Sequence, residues 1–311
     1  MAITRFAYPF FMSSVPIIQI LEESYRETVD NKQLVLFALL PSIITSISSL
    51  FFFSSLLLNI WQQIDLPQLL VMEAVKGIGI LATPSYAFMV TLGTIFLVIV
   101  YFLVQPIVDG GLTKMVNKII QKHPWRIRQG IHAGFMYFFP MFELRALMFP
   151  FQVATMSFMA SQIIRNFGWK FFLELSPFLL LIFMASIATL FILSFTEYAI
   201  VHDNMHINDG LKRSSSLVMR NPGHTLVIWV ALLLVFVRTL LVLALIFLLP
   251  LVLIVAGTYF YTHLETSISM YIFGALLLVA LGIVAYTSAL INVFTTFVWA
   301  KTYRVLTQEE A

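Results

Sequence analysis

The chain contains no cysteine. That absence excludes a disulfide framework, thiolate metal ligation and a cysteine nucleophile together. Charge is nearly as scarce. Asp, Glu, Lys and Arg make up 11% of the 311 residues, against about a quarter in an ordinary soluble domain. So few charges leave neither a solvated globular surface nor a nucleic-acid footprint, which removes nucleic-acid partners, disordered scaffolds and most soluble enzymes. A Gly-rich phosphate loop with its lysine is also missing, so any energy coupling would need another subunit, and no cofactor is expected. The net balance of +3 is too small to name a partner, so the distribution of charge matters more than its sum.

What is present matches hydrocarbon. The chain is 60% apolar with 30 Phe, and its mean hydropathy is +0.94. Crossing a hydrocarbon layer of about 30 Å at about 1.5 Å per helical residue takes about 20 apolar residues. Six segments meet that requirement: Leu34 to Leu58, Ala87 to Val108, Ala146 to Ile164, Leu175 to Thr196, Thr225 to Leu249 and Ile268 to Trp299. The third is interrupted by Pro150 and Gln152. Continuous apolar runs lack the in-out alternation of barrel strands, which excludes a β-barrel. The start MAITRFAYPFFMSS has no small-residue cleavage site and reads as a retained amino terminus.

The sparse charges set the topology. Lys114, Lys118, Lys122, Arg126 and Arg128 lie between the second and third spans, and Lys212, Arg213 and Arg220 lie between the fourth and fifth. With Arg5, Arg26, Lys32, Lys301 and Arg304 near the termini, thirteen of the eighteen basic residues fall on one side. The opposite loops hold only Lys76, Arg165 and Lys170. The positive-inside bias then places both termini in the cytoplasm, and Trp61, Trp169, Trp229 and Trp299 fall at span ends, where an aromatic belt is expected. Two flanking segments are amphipathic. Ile17, Ile18, Leu21, Tyr25 and Val29 recur at helical spacing opposite Glu22, Glu23, Arg26 and Glu27, and Leu112 to Gln121 carries Lys114 and Lys118 four apart. Both are expected to lie along the headgroups.

Three stretches leaving the membrane on the basic side superpose: FLVQPIV at 102–108, FTEYAIV at 195–201 and FTTFVWA at 294–300. The first two continue into Gly111-Leu112 and Gly210-Leu211, a basic segment, and then Pro124 and Pro222. Such a repeat divides the chain into a cytoplasmic interfacial helix at 1–33 and a transmembrane domain at 34–311, built of hairpins at roughly 34–128, 129–222 and 223–311. The expected fold class is therefore all-α: a polytopic membrane protein with six transmembrane helices in three hairpins, plus interfacial amphipathic helices.

Residues 195–224, FTEYAIVHDNMHINDGLKRSSSLVMRNPGH, resemble the recurring cytoplasmic motif of a group of six-span prokaryotic membrane proteins. In that group an apolar exit is followed by a basic helix ending in Asn-Pro. The group includes the membrane domain found ahead of some glycerophosphodiester phosphodiesterases and the YciC-like inner-membrane proteins. The resemblance implies the six-span fold and the inner (plasma) membrane of a prokaryote. It implies no activity, because these 311 residues include no soluble phosphodiesterase segment.

Three constellations are candidates for chemistry. Arg238 sits about 13 residues into the fifth span, where a charge costs at least about 2.5 to 3.5 kcal/mol and must face protein or water. Glu174, Glu197, Asn292 or Gln152 could pair with it, and Ser288, Asn292, Thr295 and Thr296 form a polar stripe on the sixth span. Arg238, Asn292, Ser288, Thr295 and Glu197 would make a substrate or lipid site if they share a cavity. His202 and His206, four apart with Asp209 following, have zincin-like spacing but no third ligand fixed by the motif. Gly130 and Gly134 make a short GxxxG, with His132 arguing for an interfacial bend over a dimer seam.

The leading expectation is a non-enzymatic inner-membrane protein acting through lipid or protein contacts on a basic cytoplasmic face, with anionic lipids as the natural partners. A homo-oligomer is compatible with it. The competing expectations are a transporter or lipid-handling permease built around Arg238 and a metalloenzyme using His202 and His206.

Overall fold

The computed structural model describes residues 17–63, 84–151, 153–240 and 266–308. Expectations involving Arg5, Lys76, Gln152 and the far end of the fifth span, 241–249, lie outside them. The described residues are helical and contain no strand. In chain order the helices are α1 (Ile17–Asp30), α2 (Lys32–Gln63), α3 (Pro84–Ile120), α4 (Ile127–Met136), α5 (Phe138–Met148), α6 (Val153–Ile192), α7 (Thr196–His202), α8 (Ile207–Arg220), α9 (Pro222–Leu240) and α10 (Thr266–Gln308). A 3-10 turn at Phe149–Phe151 carries Pro150 between α5 and α6.

Among the described residues four stretches are long and apolar enough to cross a membrane: Ile99–Ile120, Met159–His202, Pro222–Leu240 and Leu278–Gln308. Lys32–Ile47 is a shorter apolar stretch. Met159–His202 covers the end of the third expected span and all of the fourth, and it is not one straight helix. Gly168 breaks α6 with φ 83° and ψ 168°, a conformation essentially reserved for glycine, just before Trp169 and Lys170. Outward faces remain apolar. Phe178, Leu181 and Met184 on α6, Leu226 and Leu234 on α9, and Leu278 and Val279 on α10 are all exposed. Surface of that kind is costly in water and matched in hydrocarbon. The chain is thus a membrane protein by helix length and surface chemistry.

The core lies at the basic end. Leu34, Val35 and Ala38 of α2, Leu112, Met115 and Val116 of α3, Tyr198 and Ala199 of α7, Leu217 and Val218 of α8, and Ala289, Val293, Phe297, Ala300 and Tyr303 of α10 form one buried cluster with Phe195. Small residues such as Ala38, Ala199, Ala289 and Ala300 let the backbones approach, which is how helices gain van der Waals contact where lipid supplies no hydrophobic drive. The helices carrying the three repeated exits, α3, α7 and α10, all pack on one another here.

Local departures from the sequence expectations have physical reasons. The segment from Leu112 continues α3, because its apolar residues find protein rather than headgroups: Leu112, Met115 and Val116 are at most 1% exposed. α1 does not lie loose along an interface. It docks on α10 through Ile20, Ser24 and Thr28, one stripe round from the expected apolar face, leaving Ile18, Tyr25 and Val29 exposed. Lys301, buried on α10, anchors it by pairing with Glu23 at 3.0 Å and Glu27 at 3.2 Å. Hydrogen bonds from Gln19 and Lys301 hold the Glu23 carboxyl below its ordinary value. Trp229 and Trp299 turn inward, Trp229 donating to Ser194 Oγ at 2.8 Å and Trp299 meeting the Phe195 ring edge-on at 5.3 Å.

Candidate functional site

α3 ends in a left-handed cap. Lys122 has φ 57°, and the His123 amide donates back to the Lys118 carbonyl at 2.9 Å, the pattern of a Schellman turn. Pro124 follows and prevents helical continuation. Arg126 is extended, α4 starts at Ile127, and the chain folds back along α3. Glycines set how closely. A Cβ on Gly111 would sit 2.5 Å from the Gly130 carbonyl oxygen, and one on Gly134 would sit 2.1 Å from that of Ile107. The GxxxG of Gly130 and Gly134 is therefore a seam within the chain, facing Gly110 and Gly111, and not a bend.

Between this seam and the capped turn the two helices border a half-open cavity of about 540 Å³. Lys114 and Lys118 of α3, Arg126 of the turn, and Arg128 and His132 of α4 line it, with Met115, Ala133, Met136 and Tyr137 as its apolar part. Among the described residues no carboxylate lines it. The ammonium groups rest on neutral acceptors: Lys118 Nζ donates to Gln129 Oε1 at 2.8 Å, and Lys114 Nζ to Tyr137 OH at 3.4 Å and the Val201 carbonyl at 3.5 Å. Tyr137 in turn donates to Asn204. The arrangement is an electropositive cleft with an apolar wall.

Deeper along α3 lies a buried polar stripe that sequence reasoning missed. Gln105, Asp109, Thr113 and Asn117, four apart, are all no more than 8% exposed. Asp109 accepts from Gln105 at 2.8 Å and from Arg145 of α5, whose Nε and Nη2 approach one carboxylate oxygen at 2.8 and 2.5 Å. Thr113 donates to Glu197 of α7 at 2.6 Å. The Asp109 carboxylate supplies the counter-charge for the part-buried Arg145 guanidinium. The i, i+4 spacing of these four was visible in the sequence, but an apolar-run search absorbs it into a span.

Arg238 lies exposed on α9, while Glu197 is engaged by Thr113 and interacts with Arg145. Thr295 and Thr296 donate to helix carbonyls of Ile291 and Asn292, and Thr296 also shares a hydrogen bond with Tyr198 of α7. Ser288 and Asn292 are half-buried on α10. His202 and His206 do not share a helical face: α7 stops at His202, Asn204 has φ 51°, and His206 caps α8. His202 contacts Asp203 at 3.1 Å, and Tyr303 donates to that same aspartate. Asp209 is exposed in the first turn of α8. Among the described residues no group of three His, Asp or Glu could hold a metal ion. Of the basic face, Lys114, Lys118, Arg126 and Arg128 meet in the cavity. Lys122 sits in the turn, and Lys212, Arg213 and Arg220 lie on α8, with Arg213 bonding Tyr303. No family model, curated protein or solved structure matches the chain.

Proposed function

We propose that the chain is a non-enzymatic integral protein of the inner (plasma) membrane of a prokaryote, with six spans in three hairpins and both termini cytoplasmic, acting through its basic face on anionic lipids. The convergence of Lys114, Lys118, Arg126 and Arg128 on one cavity that no described carboxylate lines, at the end of the apolar stretch Ile99–Ile120, carries this reading. The motif at 195–224 supports membership of the six-span group it resembles. Each Lys or Arg near an anionic surface contributes about 1 kcal/mol, within a Debye length. The purified protein should therefore unfold at higher temperature in phosphatidylglycerol nanodiscs than in phosphatidylcholine ones, with the difference shrinking as salt rises. Equal midpoints at low salt would refute the lipid reading. The absence of native cysteine makes topology directly measurable: a thiol replacing Lys212 should react from the cytoplasmic side and one replacing Lys170 from the other.

The buried stripe on α3 favours a second reading, a lipid-handling permease whose polar site is Asp109, Arg145 and Glu197, since ionisable groups within spans commonly mark translocation pathways. Reconstituted protein would then move labelled lipid between leaflets, and Glu197→Gln would slow it. Transfer no faster than in protein-free vesicles would remove this reading.

A further inference from the structure

The cavity between α3 and α4 carries more specific information than a basic surface. Its four cationic side chains, Lys114, Lys118, Arg126 and Arg128, face no carboxylate among the described residues of the lining. Two buried acids close by in the fold are committed, Asp109 of α3 to Arg145 and Glu197 of α7 to Thr113. One phosphodiester would bring one negative charge and leave most of that field uncompensated; two phosphates, or one phosphomonoester, come much closer to balance. The lysines' acceptors are neutral, and a phosphate oxygen is a stronger acceptor than a phenol, an amide or a peptide carbonyl. Exchange of partners on binding is therefore favourable. The wall of Met115, Ala133 and Met136 gives a free phosphate nothing to contact, but suits the glycerol and first acyl carbons of a lipid. A volume of about 540 Å³ falls in the ordinary range for ligand clefts.

We propose that this cavity binds the headgroup of a phospholipid carrying at least two negative charges. The proposal rests on the lipid reading above and narrows it to a site and a charge class. The test uses full-length protein in micelles doped equally with phosphatidylcholine, phosphatidylglycerol, phosphatidic acid and diphosphatidylglycerol, with retained lipid counted by native mass spectrometry. The wild type should retain phosphatidic acid or diphosphatidylglycerol over phosphatidylglycerol. Arg126→Gln with Arg128→Gln should reduce that preference by about tenfold or more. Gln129→Glu, nearly isosteric, sets a carboxylate against Lys118 and should act the same way without altering the turn. Lys212→Gln with Arg220→Gln removes equal charge outside the cavity; it should lower anionic-lipid retention generally while keeping the preference. An equal loss of preference in both double variants would overturn the cavity site but leave the lipid reading standing. Retention of anionic lipid no greater than of phosphatidylcholine in the wild type would overturn both. Displacement of lipid by glycerol 3-phosphate or inorganic phosphate at matched concentration would make the site one for soluble phosphate and overturn its assignment to lipid.

Discussion

Gly134→Ala is the sharpest test of how the cleft is built. An added Cβ would lie 2.1 Å from the Ile107 carbonyl oxygen and 2.8 Å from its Cγ2, where ordinary contact begins at 3.4 Å. The obstacle is helical backbone in the middle of α3, which cannot swing aside as a side chain would. α4 must retreat by roughly 1 Å, and overpacking of this kind costs about 1–3 kcal/mol. Alanine returns about 0.5–1 kcal/mol of helix propensity, leaving a net loss of about 0–2.5 kcal/mol. Gly282→Ala is the matched control, since a Cβ there meets nothing within 4 Å, and it should gain about 0.5–1 kcal/mol. Thermal unfolding in one detergent reads both: at about 2–4 °C per kcal/mol, Gly134→Ala should melt several degrees below Gly282→Ala. Its headgroup preference should fall as well, because the retreat splays the cationic walls. Two variants of equal stability would refute the seam.

Other perturbations probe other parts of the structure. Asp109→Asn leaves the Arg145 guanidinium without its counter-charge, and should cost about 3 kcal/mol by denaturation in detergent. Gly168→Ala has open space around it, yet should destabilise by about 1–3 kcal/mol because φ 83° with ψ 168° is strained for any side chain; an unchanged midpoint would remove the break in α6. Lys301→Met should free α1 from α10, seen as faster amide exchange across 17–30 and little change elsewhere. The Glu23 carboxyl is held below its ordinary 4.5 by Gln19 and Lys301. Its contribution to α1 docking is therefore complete above that value and lost as pH falls through the lower folded value. Amide protection of α1 should drop over that acid range in the wild type and show a smaller drop in Lys301→Met.

Helical class and membrane solvent were legible from composition alone, because both are bulk properties. The basic residues of the cleft were legible too, since charge distribution follows from sequence order. What was hidden depends on which face of a helix meets which neighbour. Leu112, Met115 and Val116 have the periodicity of an interfacial helix, and only the presence of α2, α8 and α10 turns that face into core. The Arg145–Asp109 pair joins residues 36 apart, and no local pattern favours it over the Arg238–Glu197 pairing that span order implies. His202 and His206 have helical spacing on paper, but Asn204 in the left-handed region ends the helix between them.

The most direct measurement of the lipid account uses the missing cysteine. Gln129→Cys places the chain's only thiol in the cleft, beside Lys118, and Lys212→Cys places one on α8 outside it. Labelling by a water-soluble maleimide should slow strongly at Gln129→Cys when phosphatidic acid nanodiscs replace phosphatidylcholine ones, with little change at Lys212→Cys. Equal labelling rates at Gln129→Cys in the two membranes would contradict the claim that the basic cleft is filled by anionic lipid.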